Sequence, residues 1–378
     1  MRIGIDARFY GPKTGGGGLG RYVAELVTHL EQIDSRNEYV VFLRKDNFHE
    51  CRVTKPNWSK RLVDVPWYSL AEQRLLPREI AAAKVDFMHF PHWNVPLFSH
   101  VPFIVTVHDL ILLEDPSSAH ATTRNAFVHG LKYAAFRVVL ENAIHRSRHI
   151  ITVSECSKQA VLKHFRIKPQ KVTVVYNGVN APAEGRGVSL RDLGVVEPYV
   201  LAVGNRYPHK NLETLLEAFG PVLAKHSSAS LVLAGKHDVF TDRLMRLAQD
   251  LGLPERSVRL VSSPSEDELG ALYRHASLLA FPSKIEGFGI PPLEAMHVGT
   301  PVMSSDSSCL PEILGPAALY TDPDDADKMS QIMLQAIERP ESLKGIVARG
   351  HERVNNFRWD TAAQQTLDTY LRFGLRRL

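Results

Sequence analysis

The chain has 378 residues, 44% of them hydrophobic and 23% charged, a balance that excludes disordered and fibrous classes and leaves ample material for a core. No apolar run approaches the roughly 18 residues needed to cross a bilayer, and the opening MRIGIDARFY lacks the apolar stretch of a secretory signal, so a soluble, cytoplasmic protein is expected. Cys51, Cys156 and Cys309 are odd in number, far apart and without CxxC spacing, which argues against a disulfide framework and a zinc site and fits a reducing compartment. The formal net charge of +4 divides unequally, +8 up to Gly187 and −4 beyond it. Such a basic first half suits anionic lipid, nucleic acid or an acidic acceptor as well as a plain solvated surface.

Along the chain, short β-rich apolar runs alternate with longer amphipathic segments, the pattern of a parallel sheet flanked by helices. The predicted strands of the first half are Ile3–Ala7, Tyr39–Leu43, Val85–Phe90, Phe103–Val107, Ile150–Val153 and Val172–Tyr176. A long helix is predicted over Thr122–His145, with Phe127, Leu131, Ala135, Val138 and Val139 on one side. Pro, Gly and charge without a clear period mark 181–198 as a linker. The alternation then resumes with YVLAVG at Tyr199 and continues through SLVLAG, SVRLVS, SLLAFPS, TPVMSSD and AALYTD. Two α/β domains are expected, 1–180 and 199–359, with a last helix within 360–378 crossing back to the first. Each would be a doubly wound sheet that places ligands at the carboxyl ends of its strands, the two facing each other across a deep cleft.

The most informative segment is KIEGFGIPPLEAM, Lys284 to Met296, which follows a predicted strand and holds two carboxylates. Pro291 suits the first position of a helix, where no N–H partner is needed, and Gly287 and Gly289 let the backbone approach a ligand closely. The amides of Gly287, Phe288, Gly289 and Ile290 would then lie at the positive end of a helix dipole, an anion site suited to phosphate. Glu286 and Glu294 repel phosphate but accept hydrogen bonds from hydroxyls, which places them on the sugar parts of a phosphorylated ligand. The plainer reading is a glycine–proline loop whose acids merely complement the dipole. In VGNRYPHKNL, Val203 to Leu212, a strand ends and Arg206 and Lys210 occupy the following loop. Two cations there would neutralise a diphosphate and the charge that grows on it as a bond to sugar breaks, unless they are simply solvated.

TGGGGLGRY, Thr14 to Tyr22, supplies flexible backbone before a helix, so the amides of Gly17 and Gly18 become candidates for phosphate contact. It also matches GxGxxG at Gly15, Gly17 and Gly20. The dinucleotide reading fails on context, because Arg8 to Thr14 intervene after the strand and Leu43 is followed by Arg44 and Lys45 rather than an acid. GKH at Gly235 lacks the rest of a P-loop. Asp322-Pro323-Asp324 resembles a metal-binding DxD, yet Pro323 and Asp324 read more simply as a helix start. No catalytic metal and no cofactor are expected.

Together these segments resemble the large family 4 of retaining glycosyltransferases, whose fold is called GT-B. The likeness covers nearly the whole chain and includes GGGLGRY, VTVHDL, IITVSECSKQAV, VVYNGV, LYRHASLLAFPS and FRWDTAAQQTL. It implies that Arg206 and Lys210 hold the donor diphosphate, Glu286 and the amides of Phe288 to Ile290 the transferred sugar, and Glu294 the ribose. It also implies that His108, at the end of FIVTV, sits beside the reacting sugar. Asp109 and His92 are acceptor-side candidates. The step of four from Arg206 to Lys210 departs from the five of many members; those with PHKNL share it, and several are similar to mannosyltransferases. The expected activity is retaining, metal-independent transfer of a hexose, with mannose from GDP-mannose favoured over a UDP-sugar donor. The expected acceptor is a saccharide or lipid-linked saccharide of surface polysaccharide synthesis, reached with a peripheral contact to anionic membrane and no nucleic acid partner. A nicotinamide oxidoreductase and a non-catalytic sugar-nucleotide binder stand as alternatives.

Overall fold

A computed structural model describes residues 1–11, 17–115 and 126–374. The chain divides into two compact units, one of Met1–Leu110, Thr123–Gly178 and Phe357–Leu378, the other of Ile111–Thr122 and Val179–Asn356. In chain order the elements are β1 (Arg2–Asp6), α1 (Gly18–Ile33), β2 (Glu38–Leu43), β3 (Trp58–Leu62), α2 (Leu70–Ala82), β4 (Phe87–Phe90), β5 (Phe103–Val107), α3 (Ile111–Glu114), α4 (Ala126–Arg146), β6 (His149–Thr152), α5 (Glu155–His164) and β7 (Val172–Val174). After an irregular stretch follow β8 (Tyr199–Val203), α6 (Leu212–Lys225), β9 (Ser230–Gly235), α7 (Thr241–Asp250), β10 (Val258–Ser262), α8 (Glu266–His275) and β11 (Leu278–Phe281). The chain closes with α9 (Ile290–His297), β12 (Val302–Ser305), α10 (Leu310–Leu314), β13 (Leu319–Thr321), α11 (Ala326–Glu338), α12 (Lys344–Val354) and α13 (Trp359–Phe373).

Both sheets are wholly parallel. The first runs β3-β2-β1-β4-β5-β6-β7 and the second β10-β9-β8-β11-β12-β13. Registers such as Ile3↔Tyr39 and Leu201↔Val232 pair apolar residues, because a parallel sheet covered on both faces reads as continuous hydrophobic runs. The strand order reverses between β1 and β4 in one sheet and between β8 and β11 in the other. Loops leaving the carboxyl ends on either side of a reversal part there and open a crevice.

In the first core, Ile3 and Ile5 of β1 and Val23, Leu26 and Leu30 of α1 meet Trp359, Ala363 and Tyr370 of α13. Val200, Leu231, Leu278, Phe219 and Met333 anchor the second. Helix starts carry their chemistry locally: Ser265 and Glu268 form a reciprocal capping box on α8, and Ser154 accepts the Ser157 amide on α5.

Three expectations are corrected. Strand β3, WSKRL, was not predicted; it is an edge strand whose polar residues are exposed or half-buried, Lys60 Nζ donating to the Phe48 and Cys51 carbonyls, while Trp58 stacks on Tyr39 at 4.0 Å. On α4 three residues of the predicted apolar side are outward, Leu131 65% and Val138 55% exposed and Ala135 also exposed, while Val139 is half-buried and the Phe127 side chain lies outside what the structure describes; Leu140, Ala143 and Ile144 make the buried side. The predicted start of that helix, Thr122–Asn125, lies outside the described residues. Helix α11 begins at Ala326 rather than at Pro323, because the Asp325 side chain caps it by accepting the Lys328 amide at 2.8 Å.

Candidate active site

In the second unit the two informative loops leave β8 and β11, the strands that flank the reversal. After β8 the chain makes one turn of 3₁₀ helix over Pro208–Lys210 and enters α6 through Asn211, whose φ of 57° is left-handed. The loop after β11 lies alongside, the Lys284 amide donating to the His209 carbonyl at 2.8 Å. Lys210 Nζ reaches Glu286 Oε1 at 2.5 Å and stands 5.4 Å from the Phe281 ring centroid. Both charged side chains are largely buried, so their attraction is little screened. Burial first, and Lys210 second, push His209 down to about 4, leaving its ring neutral beside the pair.

Residues that spacing did not reveal hold this pair in place. The Ser308 hydroxyl donates to the Glu286 carbonyl at 2.8 Å and accepts the Glu286 amide at 3.1 Å, gripping the backbone from both sides. Asn211 Nδ2 donates to the carbonyls of Pro282, at 3.2 Å, and Pro323, at 2.6 Å, tying three strand-end loops together. Asn211→Ala therefore removes the donor of two carbonyls and keeps a left-handed backbone without its usual compensation, for an expected loss of about 3 kcal/mol in urea unfolding. Asn211→Gly, which takes positive φ freely, should recover about 1 kcal/mol of that loss.

Helix α9 starts at Ile290, one residue before the predicted Pro291, with Gly289 at φ 96° before it. A Cβ on Gly289 would stand 2.9 Å from Leu310 Cδ2, so both conformation and space select glycine. Gly287 and Phe288 are buried in the same turn, and Ile290 is half-buried. Glu294 is buried on the side of α9 that faces α8, where Tyr273 Oη donates to its Oε2 at 2.8 Å.

Arg206 is placed differently from Lys210. Both line the pocket beneath the β8 loop, with Phe281 and Ser283, but the Arg206 guanidinium turns inward. Its Nη1 donates to the Lys236 carbonyl at 2.6 Å and its Nη2 to the Leu233 carbonyl at 3.1 Å, while the backbone amide donates to Asp238. The end of β9 needs donors, and this buried guanidinium supplies them. Of the predicted pair of cations, only Lys210 is joined to Glu286 here.

The remaining candidates belong to the first unit. His108 directly follows β5, its Nε2 donating to the Pro91 carbonyl at 2.9 Å and its ring standing edge-on to Tyr22 at 4.6 Å. A carbonyl only accepts, so Nε2 carries the hydrogen and Nδ1 of the neutral ring is an acceptor. Burial keeps it neutral by pushing its pKa down to about 4. The Ser157 hydroxyl donates to the His108 carbonyl at 2.8 Å, fixing the backbone as well. Asp109 is half-buried next to it, and His92 follows Pro91. Gly17 caps α1 at φ 83° and is exposed, as is Gly18, the first residue of that helix; Gly15 lies outside the described residues.

Two family descriptions match the chain, Glycosyltransferase Family 4 over residues 16–181 and Glycosyl transferases group 1 over 193–353. Among curated relatives, the O-antigen chain mannosyltransferase RfbU of Salmonella typhimurium is 28% identical over 92% of this chain and 94% of its own. The O-antigen chain mannosyltransferase B of Escherichia coli is 28% identical over 93% and 95%. Solved structures of the same fold include sucrose-phosphate synthase from Thermosynechococcus elongatus, with a TM-score of 0.78, 21% identity and 98% of both chains covered. Anabaena HepE in complex with UDP and glucose superposes with a TM-score of 0.75 at 19% identity, covering 98% of this chain and all of that one. These matches close the dinucleotide alternative, and among the described residues no helix is long and apolar enough to cross a membrane. The chain belongs to the family 4 glycosyltransferases, has their GT-B fold of two parallel-sheet Rossmann-like domains, and is mannosyltransferase-like in its relatives.

Proposed function

We propose that the protein transfers mannose from GDP-mannose to a hydroxyl of a saccharide or lipid-linked saccharide during surface polysaccharide synthesis, with retention and without a metal or cofactor. The observation that carries this reading is the Lys210–Glu286 pair at the carboxyl ends of β8 and β11, where one cation and one hydroxyl acceptor stand within reach of a single sugar phosphate. In this reading residues 199–359 bind the donor and 1–180 the acceptor. Lys210 exchanges Glu286 for the diphosphate, Arg206 adds a second cation once its guanidinium leaves the β9 carbonyls, and the amides of Phe288 to Ile290 complete the anion site. Glu286 accepts hydroxyls of the transferred hexose and Glu294 those of the ribose. Nδ1 of His108 accepts a sugar hydroxyl without placing a cation beside the developing oxocarbenium carbon. Gly17 and Gly18 supply backbone amides to the phosphates.

Chemically, the acceptor oxygen forms its bond to the anomeric carbon on the face from which the phosphate oxygen departs. The departing phosphate takes the acceptor proton, and Lys210 stabilises the remaining charge. Support for mannose comes from the O-antigen mannosyltransferases among the relatives. The basic first half would serve a peripheral contact at the anionic inner face of the membrane, without nucleic acid. A UDP-sugar donor is the second reading, favoured by the UDP and glucose bound to the structurally similar HepE.

Incubating the protein with GDP-, UDP- and ADP-sugars, with and without chelator, tests both. The expected result is consumption of GDP-mannose that chelator leaves unchanged. Turnover of UDP-sugars alone would select the second reading, and turnover abolished by chelator would remove the metal-free scheme.

A further inference from the structure

At the carboxyl ends of β1 and β4, the reversal in the first sheet, lie an ionic network and a set of aromatic rings that donor chemistry does not use. Arg8, fully buried, donates through Nε and Nη2 to the two Asp6 oxygens, each at 2.8 Å, and through Nη2 to Glu72 at 2.6 Å. Glu72 is equally buried and accepts from Asn94 Nδ2 at 2.9 and 3.1 Å and from the Tyr68 amide at 2.8 Å. Burying one cation and two carboxylates carries a large desolvation penalty and is weak evidence of a stabilising device. What the network fixes is a backbone: Tyr68 is held at φ 57°, where an L side chain is strained.

Tyr68, whose ring this strain positions, is a 62% exposed residue. It lies 5.7 Å from Trp93 and 6.5 Å from His92, measured between ring centroids, and those two rings are 4.5 Å apart. Phe136 of α4 backs Trp93 at 4.7 Å. His92 Nδ1 accepts the Asn94 amide at 3.3 Å, so the hydrogen of the neutral ring is on Nε2, available as a donor. The patch adjoins His108, whose Nε2 is held by the carbonyl of Pro91, the neighbour of His92. A strained, wet aromatic beside two others, with polar edges, answers the chemistry of a sugar ring: its C–H face is apolar and slightly positive, and the face of an aromatic ring is negative.

We infer that Tyr68, His92 and Trp93 form a platform on which a sugar ring of the acceptor stacks, so that the acceptor presents a saccharide and not a bare lipid alcohol to the first unit. This rests on the glycosyl-transfer reading above and deepens it.

The test is saturation-transfer NMR on the full chain with methyl glycosides of mannose, glucose, galactose, N-acetylglucosamine and rhamnose. At least one should bind with its ring C–H protons closest to protein. Tyr68→Gly should weaken that binding about tenfold or more, because the stacked ring is lost, while Tyr68→Phe stays within about threefold. Since glycine relaxes the positive φ, Tyr68→Gly should melt no lower than the wild type, which separates loss of the platform from loss of the fold. Binding of no glycoside to the wild type, or equal binding to Tyr68→Gly, would overturn the inference. Calorimetric binding of GDP and UDP to the wild type addresses the donor reading separately: nucleotide binding without a Tyr68-dependent glycoside removes only the platform, and the converse removes only the donor assignment.

Discussion

Lys210→Ala is expected to lower kcat/KM about 30-fold, the equivalent of about 2 kcal/mol of transition-state stabilisation lost with one charge-assisted phosphate contact. Its ammonium stands 2.5 Å from Glu286 and 5.4 Å from the Phe281 ring centroid, so little reorganisation is needed when phosphate replaces carboxylate. The variant also leaves Glu286 buried without its cation, and initial rates should be compared at a temperature where both proteins are folded. Lys210→Arg restores charge in a different shape and should recover part of the rate. Unchanged kinetics in Lys210→Ala would take this residue out of the mechanism.

The second large effect is a loss of stability in mild acid. Burial pushes His89 and His92 down to about 3 and His108, His149 and His209 down to about 4. Between those values and the ordinary histidine pKa near 6.5, the unfolded chain binds protons that the folded chain refuses. Stability is therefore fully present above about pH 6.5 and falls as pH drops towards 4, by about 1.4 kcal/mol per pH unit for each such histidine. Two of the five suffice to remove much of an ordinary domain's 5–15 kcal/mol, so urea midpoints should fall steeply from pH 7 to pH 5. His89, enclosed by Tyr370 Oη at 2.6 Å and Thr106 Oγ1 at 2.9 Å, offers the attribution: His89→Gln should flatten the slope by about 1.4 kcal/mol per pH unit. A midpoint independent of pH over this range would contradict the buried neutral histidines.

Much of the architecture was legible because parallel strands announce themselves as apolar runs. Phe103–Val107 and Ser230–Gly235 carry no polar face to obscure them. The edge strand Trp58–Leu62 was not legible, since one neighbour and a solvent edge leave its residues free to be Lys60 and Arg61. On α4 the spacing of Leu131 and Val138 suggested a buried stripe, and the packing turned that stripe outward. Period alone shows that an apolar side exists, not what covers it.

For the site, Lys210 and Glu286 announced themselves through charge in glycine- and proline-rich loops after strands. Their supports did not. Ser308 acts from a loop distant in sequence, and Asn211, although it follows Lys210 directly, bonds carbonyls of loops far along the chain; a hydroxyl or an amide in a loop has no spacing rule that names its partner. Tyr273 looks like an ordinary core aromatic until its hydroxyl is seen donating to Glu294. The inward turn of Arg206 was equally hidden, because it answers carbonyls at the end of β9 that only the assembled sheet brings near.

The most direct measurement is a crystal structure of the protein soaked with GDP. The account predicts the diphosphate in the crevice between the ends of β8 and β11, with a phosphate oxygen about 3 Å from Lys210 Nζ and the Lys210–Glu286 bond broken or shared. Nucleotide bound elsewhere, with that ion pair intact, would contradict it.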